Sequence, residues 1–151
     1  MNKQLTDLEI AKDLLYQENL TICIVKNGSV IHKSNQKGIY PMYEAITEKY
    51  QQLGGASVAD RVIGRAAAML NVYANTQDVF SEIVSKSAET ILHNNEINLS
   101  YNQSVPYIKN RSQDDLCPIE KISSKVADTD YVILMSKIKE FLISVKILQE
   151  N

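Results

Sequence analysis

Hydrophobic positions along the 151-residue chain follow two periods, and their order outlines a fold. Leu8, Ala11 and Leu15 share one helical face behind Thr6 and Glu9, a T-x-x-E pair in which each side chain accepts from the other residue's backbone N–H. "TICIVKNGSVIHKS" changes to a β-rich pattern broken by Asn27-Gly28, a dipeptide that tolerates the positive φ of a two-residue hairpin turn. "IYPMYEAITEKYQQLGG" returns to helical spacing, with Pro41 near its first turn, Ile46, Tyr50 and Leu53 on one face, and Gly54 as its stop. In "ASVADRVIGRAAAMLNVYA", Ala59, Ile63, Ala66, Ala67 and Leu70 fit one helical face. Ser57 would be its N-cap and Asp60 a carboxylate in its first turn.

The C-terminal half alternates. "DVFSEIVS" reads as a strand, "KSAETILHNN" as a helix capped by Ser85 or Ser87, and "EINLSYN" as a second strand. "VPYIKN" reads as an extended edge segment, because Pro106 has no N–H for a ladder. "CPIEKISSKV" opens a helix with Pro118 at its first position. "DTDYVILMSKIKEFLISVKILQE" is a final amphipathic helix with Ile133, Ile138, Phe141, Leu142 and Leu148 toward the core. A hairpin followed by alternating helices and strands predicts a mixed sheet of four to five strands with helices on both faces, in one domain over residues 1–151.

Composition narrows the function classes. Sixteen basic against eighteen acidic side chains, dispersed singly, lack the basic stripe of a nucleic-acid or anionic-membrane binder. Acidic residues interrupt the N-terminus, and no apolar run has the length of a membrane span, so a cytoplasmic location is expected. Cys23 inside a strand and Cys117 at a loop-to-helix junction are expected to be free thiols.

"VKNGSVIHKS", "VADRVIGRAAA", "PYIKNR" and "CPIEK", taken together and in this order, resemble a prokaryotic domain-of-unknown-function branch of the cytidine-deaminase-like superfamily. The resemblance runs from about Leu5 to about Glu120 and implies a three-layer α/β/α sandwich. Zinc deaminases of that superfamily carry H-x-E and P-C-x-x-C motifs, with a glutamate that shuttles protons beside the metal. Where those motifs would fall, the chain reads Val58-Ala59-Asp60 and "VSKSAET". Valine cannot bind zinc, and Ser, Lys and Ala do not replace two thiolates. The remaining soft side chains, Cys23, His32, His93 and Cys117, lack ligand spacing, and Cys23 and His32 have opposite strand parity. No metal and no cofactor is expected.

Three groups of residues remain as candidates. Asp60 stands where the superfamily's proton shuttle would be, and equally suits capping with Ser57. Ser85, Lys86 and Ser87 open a helix whose free N–H groups attract anions, and serine there is also an ordinary cap. On the loop "NRSQDDLCPIEK", Cys117 is a possible nucleophile at a helix N-cap, or simply a helix start before Pro118. Glu120 is a possible acid or base, while Asn110 and Arg111 could hold a ligand. Arg111 could instead pair with Asp114, Asp115 or Glu120. The function expected is a domain that binds a small molecule or nucleotide-like metabolite without deaminating it. The alternatives are an enzyme using Cys117 and a non-catalytic module that dimerises through a strand edge or the final helix.

Overall fold

The computed structural model describes residues 4–149; Glu150, the end of the expected final helix, lies outside them. Helix α1 (Asp7–Gln17) carries the reciprocal Thr6–Glu9 capping box. Strands β1 (Ile22–Lys26) and β2 (Ser29–Ser34) form the hairpin, with Asn27 and Gly28 both at positive φ. Helix α2 (Tyr40–Lys49) begins beside Pro41 and ends earlier than its apolar spacing predicts, because Tyr50–Gln52 tighten into a single 3₁₀ turn.

Residues 57–63 differ most from expectation. Ser57–Ile63 is strand β3, and the helix predicted there, α3 (Arg65–Ala74), begins only after Gly64. Ser57 is therefore not an N-cap, and Asp60 belongs to no helix. β3 lies between β1 and β4 (Asp78–Ser85) with both its faces covered, so Val58 and Ala59 are buried on opposite sides. A strand buried on both faces loses the alternation that would identify it, and its apolar run merges with the helical run that follows.

The sheet order is β2-β1-β3-β4-β5, with β5 spanning Asn98–Val105. β1 pairs antiparallel with both β2 and β3, while β3, β4 and β5 are parallel. Helices α3 and α4 (Lys86–Asn94) are the crossovers between the parallel strands. The fold is an open α/β sandwich. Cys23, Val25, Ala59 and Phe80 pack under α1 on one face. Ile22, Ile24, Val58 and Val79 pack under α2, α3 and α4 on the other.

Beyond β5 the chain leaves the sheet. "VPYIKN" adds no further strand: Lys109 pairs only with Leu116, in an isolated bridge that closes a loop. Short helix α5 (Pro118–Ser123) and helix α6 (Tyr131–Ser144) then lie across the α2–α3 layer. Ile138 and Leu142 are buried as expected, whereas Ile133 is 46% exposed and points away from the core. Among the described residues no helix is long and apolar enough to cross a membrane.

Candidate functional site

The corner where β3 turns into α3 is built around one glycine and one carboxylate. Gly64 is the N-cap of α3 and has no side chain to cap the helix. Glu120 reaches across from α5 and does so instead, its Oε1 accepting from the Arg65 N–H at 2.9 Å. Its Oε2 accepts from the Ile108 N–H at 2.9 Å, tying the loop after β5 to the same point. A Cβ on Gly64 would lie 2.6 Å from Glu120 Oε1 and 3.1 Å from Ile108 Cγ1, so the close approach requires glycine.

Arg65 completes the junction from the other direction. Its guanidinium donates to the carbonyls of Ser123 (3.0 Å) and Val126 (2.6 Å) and pairs with Asp128 at 2.7 Å. One end of α5 thus sends a carboxylate to the start of α3, while the other end presents carbonyls to a cation, as the dipoles of both helices favour.

This junction walls a cavity of about 350 Å³ at the carboxyl end of β3. Ile22, Met42, Ala66 and Ala67 form its buried floor. Its exposed lining residues, Lys37, Gly38, Val62, Lys109 and Arg111, form its mouth. Asp60, Cys117 and Glu120 also line it, so two segments far apart in sequence, β3 and residues 111–120, bring four predicted site residues to one cavity.

Asp60 is the residue whose chemistry the fold changes most. It sits opposite Ile22 on β1 and beside Ser81 on β4, on the face covered by α2 and α3. Burial pushes its carboxyl up to about 7, and the backbone N–H groups of Val62 and Arg61 offset only part of that rise. The neighbouring Arg61 does not neutralise it. That side chain turns to the opposite face, where it donates to the Leu15 and Leu20 carbonyls and pairs with Glu82 at 3.0 Å.

Arg111 forms none of the pairs considered for it. Asp115 pairs with Lys121, Asp114 binds Asn110, and Glu120 is held by two backbone amides. Asn110 shapes the loop: its backbone N–H donates to Asp115, its side chain bonds Asp114, and it does not line the cavity. Cys117 is the N-cap of α5 as anticipated, without a side-chain capping bond, and its N–H donates to the Ile108 carbonyl.

A family model described as "TM1506: Domain of unknown function (DUF1893)" matches residues 10–142. The chain belongs to the DUF1893 family. It is also similar to the crystal structure of a DUF1893 family protein (TM1506) from Thermotoga maritima, with a TM-score of 0.79 and 22% identity. That match covers 91% of this chain and 93% of the other, and at this identity it is a likeness of fold. No curated protein matches.

In this DUF1893 domain the remaining predicted site residues stand apart from the cavity. Ser85 caps α4, its Oγ accepting from the Ala88 N–H at 3.1 Å, and Lys86 reaches Glu89 at 3.6 Å. Neither they nor Ser87 line the cavity. Cys23 is buried under α1, and burial pushes its thiol up to about 11, which leaves it unreactive. His32 faces the opposite side, as its parity requires, and Glu44 and Glu48 stand near it. Its Nε2 lies 3.1 Å from Glu44 Oε1 and its Nδ1 lies 3.4 Å from Lys49 Nζ. A metal on Nε2 would leave an Nδ1–H facing an ammonium, so Lys49 already supplies the positive charge in that cluster.

Sequence reasoning passed over Gly64, Lys37, Lys109, Ala66 and Ala67 as site residues. An isolated glycine inside an apparently helical run was the available signal, since such a residue marks a break or a close backbone approach. The two lysines carry no motif and are recognisable only by position.

Two outcomes follow from this geometry. Gly64→Ala, which drives a methyl into Glu120, and Glu120→Ala, which strands two partly buried N–H groups, each lower stability by about 1–3 kcal/mol in chemical denaturation. Their double variant loses at least about 1 kcal/mol less than the sum, because the second change removes the group the first collides with; strict additivity would contradict the contact. Asp60 titrates higher when folded than its ordinary 3.8, so the folded state holds a proton that the unfolded chain releases first. Wild-type stability therefore falls as pH rises from about 4 to about 7 relative to Asp60→Asn. Parallel denaturation curves for the two proteins at every pH would refute the elevated carboxyl.

Proposed function

We propose that this domain binds a small molecule in the cavity at the β3–α3 corner, on a deaminase-like scaffold without zinc-dependent deamination. The carrying observation is the shared lining: Asp60, Arg111, Cys117 and Glu120 meet at one apolar-floored cavity at the carboxyl end of a parallel strand. Open α/β sheets bind ligands at that edge, since the turns there leave a crevice between strand ends and helix starts. The hairpin-first order, with β1 between β2 and β3 and two crossover helices on one face, supports the deaminase-like layout.

The donor set argues against a metal at the two places where the superfamily's zinc ligands would stand. With β3 in its observed place, the turn into α3 reads Gly64-Arg65-Ala66-Ala67, and the turn into α4 reads Ser85-Lys86-Ser87. Neither offers an imidazole or a thiolate, and no step is routed through zinc. A nucleophilic role for Cys117 has less support than ligand binding. Neither His32 nor His93 lines the cavity to serve as its base.

Saturation-transfer NMR against a library of nucleosides, nucleotides and small metabolites tests the reading, with Val62→Trp as the control that obstructs the mouth. Val62 is 42% exposed, so the change leaves the fold intact by circular dichroism. Compounds whose signal with the wild type disappears with Val62→Trp are the expected result. A library in which no compound shows that dependence would overturn the assignment.

A further inference from the structure

We infer that the cavity's ligand is a small anion, its phosphate or carboxylate held between Lys37, Lys109 and Arg111 at the mouth and the start of α3, with its remaining body against Ile22 and Met42. This rests on the cavity being the ligand site and names the chemical class it takes.

Three observations converge on that class. The first is the charge of the mouth. Lys37 comes from the loop between β2 and α2, and Lys109 and Arg111 from the loop after β5, yet all three line one opening. Among the described residues none of these side chains has an ion-pair or hydrogen-bond partner. The nearby acids do not relieve this concentration of positive charge. Asp115 is engaged by Lys121, Asp114 by Asn110, and Glu120 by the amides of Arg65 and Ile108. Three like charges around one opening repel one another, and an anion between them removes that repulsion.

The second observation is the shape of the Arg111 loop. The Lys109–Leu116 bridge, the Asn110 N–H to the Asp115 carbonyl, and the Asn110–Asp114 side-chain bond fix its base. Arg111 is thereby presented at the opening, where a planar guanidinium binds a phosphate or carboxylate through two parallel N–H groups.

The third lies inside. Ala66 and Ala67 are the second and third residues of the ten-residue helix α3, so their N–H groups have no intrahelical acceptor, and both residues line the cavity. Glu120 engages only the first amide of that helix, Arg65. Alanine leaves these positions open to a ligand, and the positive helix end favours negative charge there. The second carboxyl in the lining is Asp60, which burial pushes up to about 7; in its protonated form it donates to an oxygen of the ligand instead of repelling it. The volume of about 350 Å³ suits a small molecule.

Inorganic phosphate, titrated into ¹⁵N-labelled full-length protein at constant ionic strength, is the probe. Saturable shifts are expected at the amides of Ala66, Ala67, Lys109 and Arg111. The Lys37→Gln/Lys109→Gln/Arg111→Gln variant, changed only at exposed positions, binds at least about tenfold more weakly. No saturable shift, shifts centred elsewhere, or equal affinity in the triple variant would overturn the inference. Compounds blocked by Val62→Trp but uncharged, with no phosphate response, would sink the anion class and leave the cavity reading standing.

Discussion

One buried carboxylate organises the corner of this molecule. Glu120 receives the N–H of Arg65 at the start of α3 and the N–H of Ile108 from the loop after β5. A carboxylate removed from water is tolerated only where hydrogen bonds replace its hydration, so β3, α3, α5 and the intervening loop must meet in one register. Gly64 is the residue that permits the meeting, since a Cβ there would lie 2.6 Å from Glu120 Oε1. Arg65 fastens the opposite end of α5 through Ser123 and Val126. The cavity exists because of this arrangement. Without it the loop bearing Lys109, Arg111 and Cys117 would have no fixed relation to Asp60.

Much of the fold was legible because local chemistry and tertiary structure agree. The Thr6–Glu9 capping box, the Asn27-Gly28 hairpin, Pro41 and Pro118 near their helix starts, and the Ile138 and Leu142 face of α6 all read correctly. Each is decided within a few residues. β3 did not read correctly, because burial on both faces erases the period-2 alternation and leaves an apolar run continuous with α3. That single misplacement put Asp60 at a helix mouth, when it lies within a central strand and is raised toward neutrality by burial.

The site was legible in part. Asp60, Arg111, Cys117 and Glu120 were identifiable as chemistry-bearing residues near family-like motifs, and the fold brings them together. The role of Glu120 could not be read from its surroundings in sequence, since its two partners lie 55 and 12 residues away. Lys37 and Lys109 are ordinary in sequence and acquire meaning only from convergence at the mouth. Ser85 illustrates the converse. At the start of α4 Ser85 caps the Ala88 N–H and Lys86 turns toward Glu89, and neither residue lines the cavity.

Membership of the DUF1893 family and similarity to the Thermotoga maritima structure establish the family and the architecture, while the chemistry rests on the cavity. The most direct measurement is amide hydrogen exchange at Arg65 and Ile108 in the wild type and in Glu120→Ala. Both amides should be protected in the wild type and should lose protection together in the variant, while β4 amides such as Val79 remain slow. An Ile108 amide that exchanges freely in the wild type, or stays protected without the carboxylate, would contradict the claim that Glu120 builds this corner.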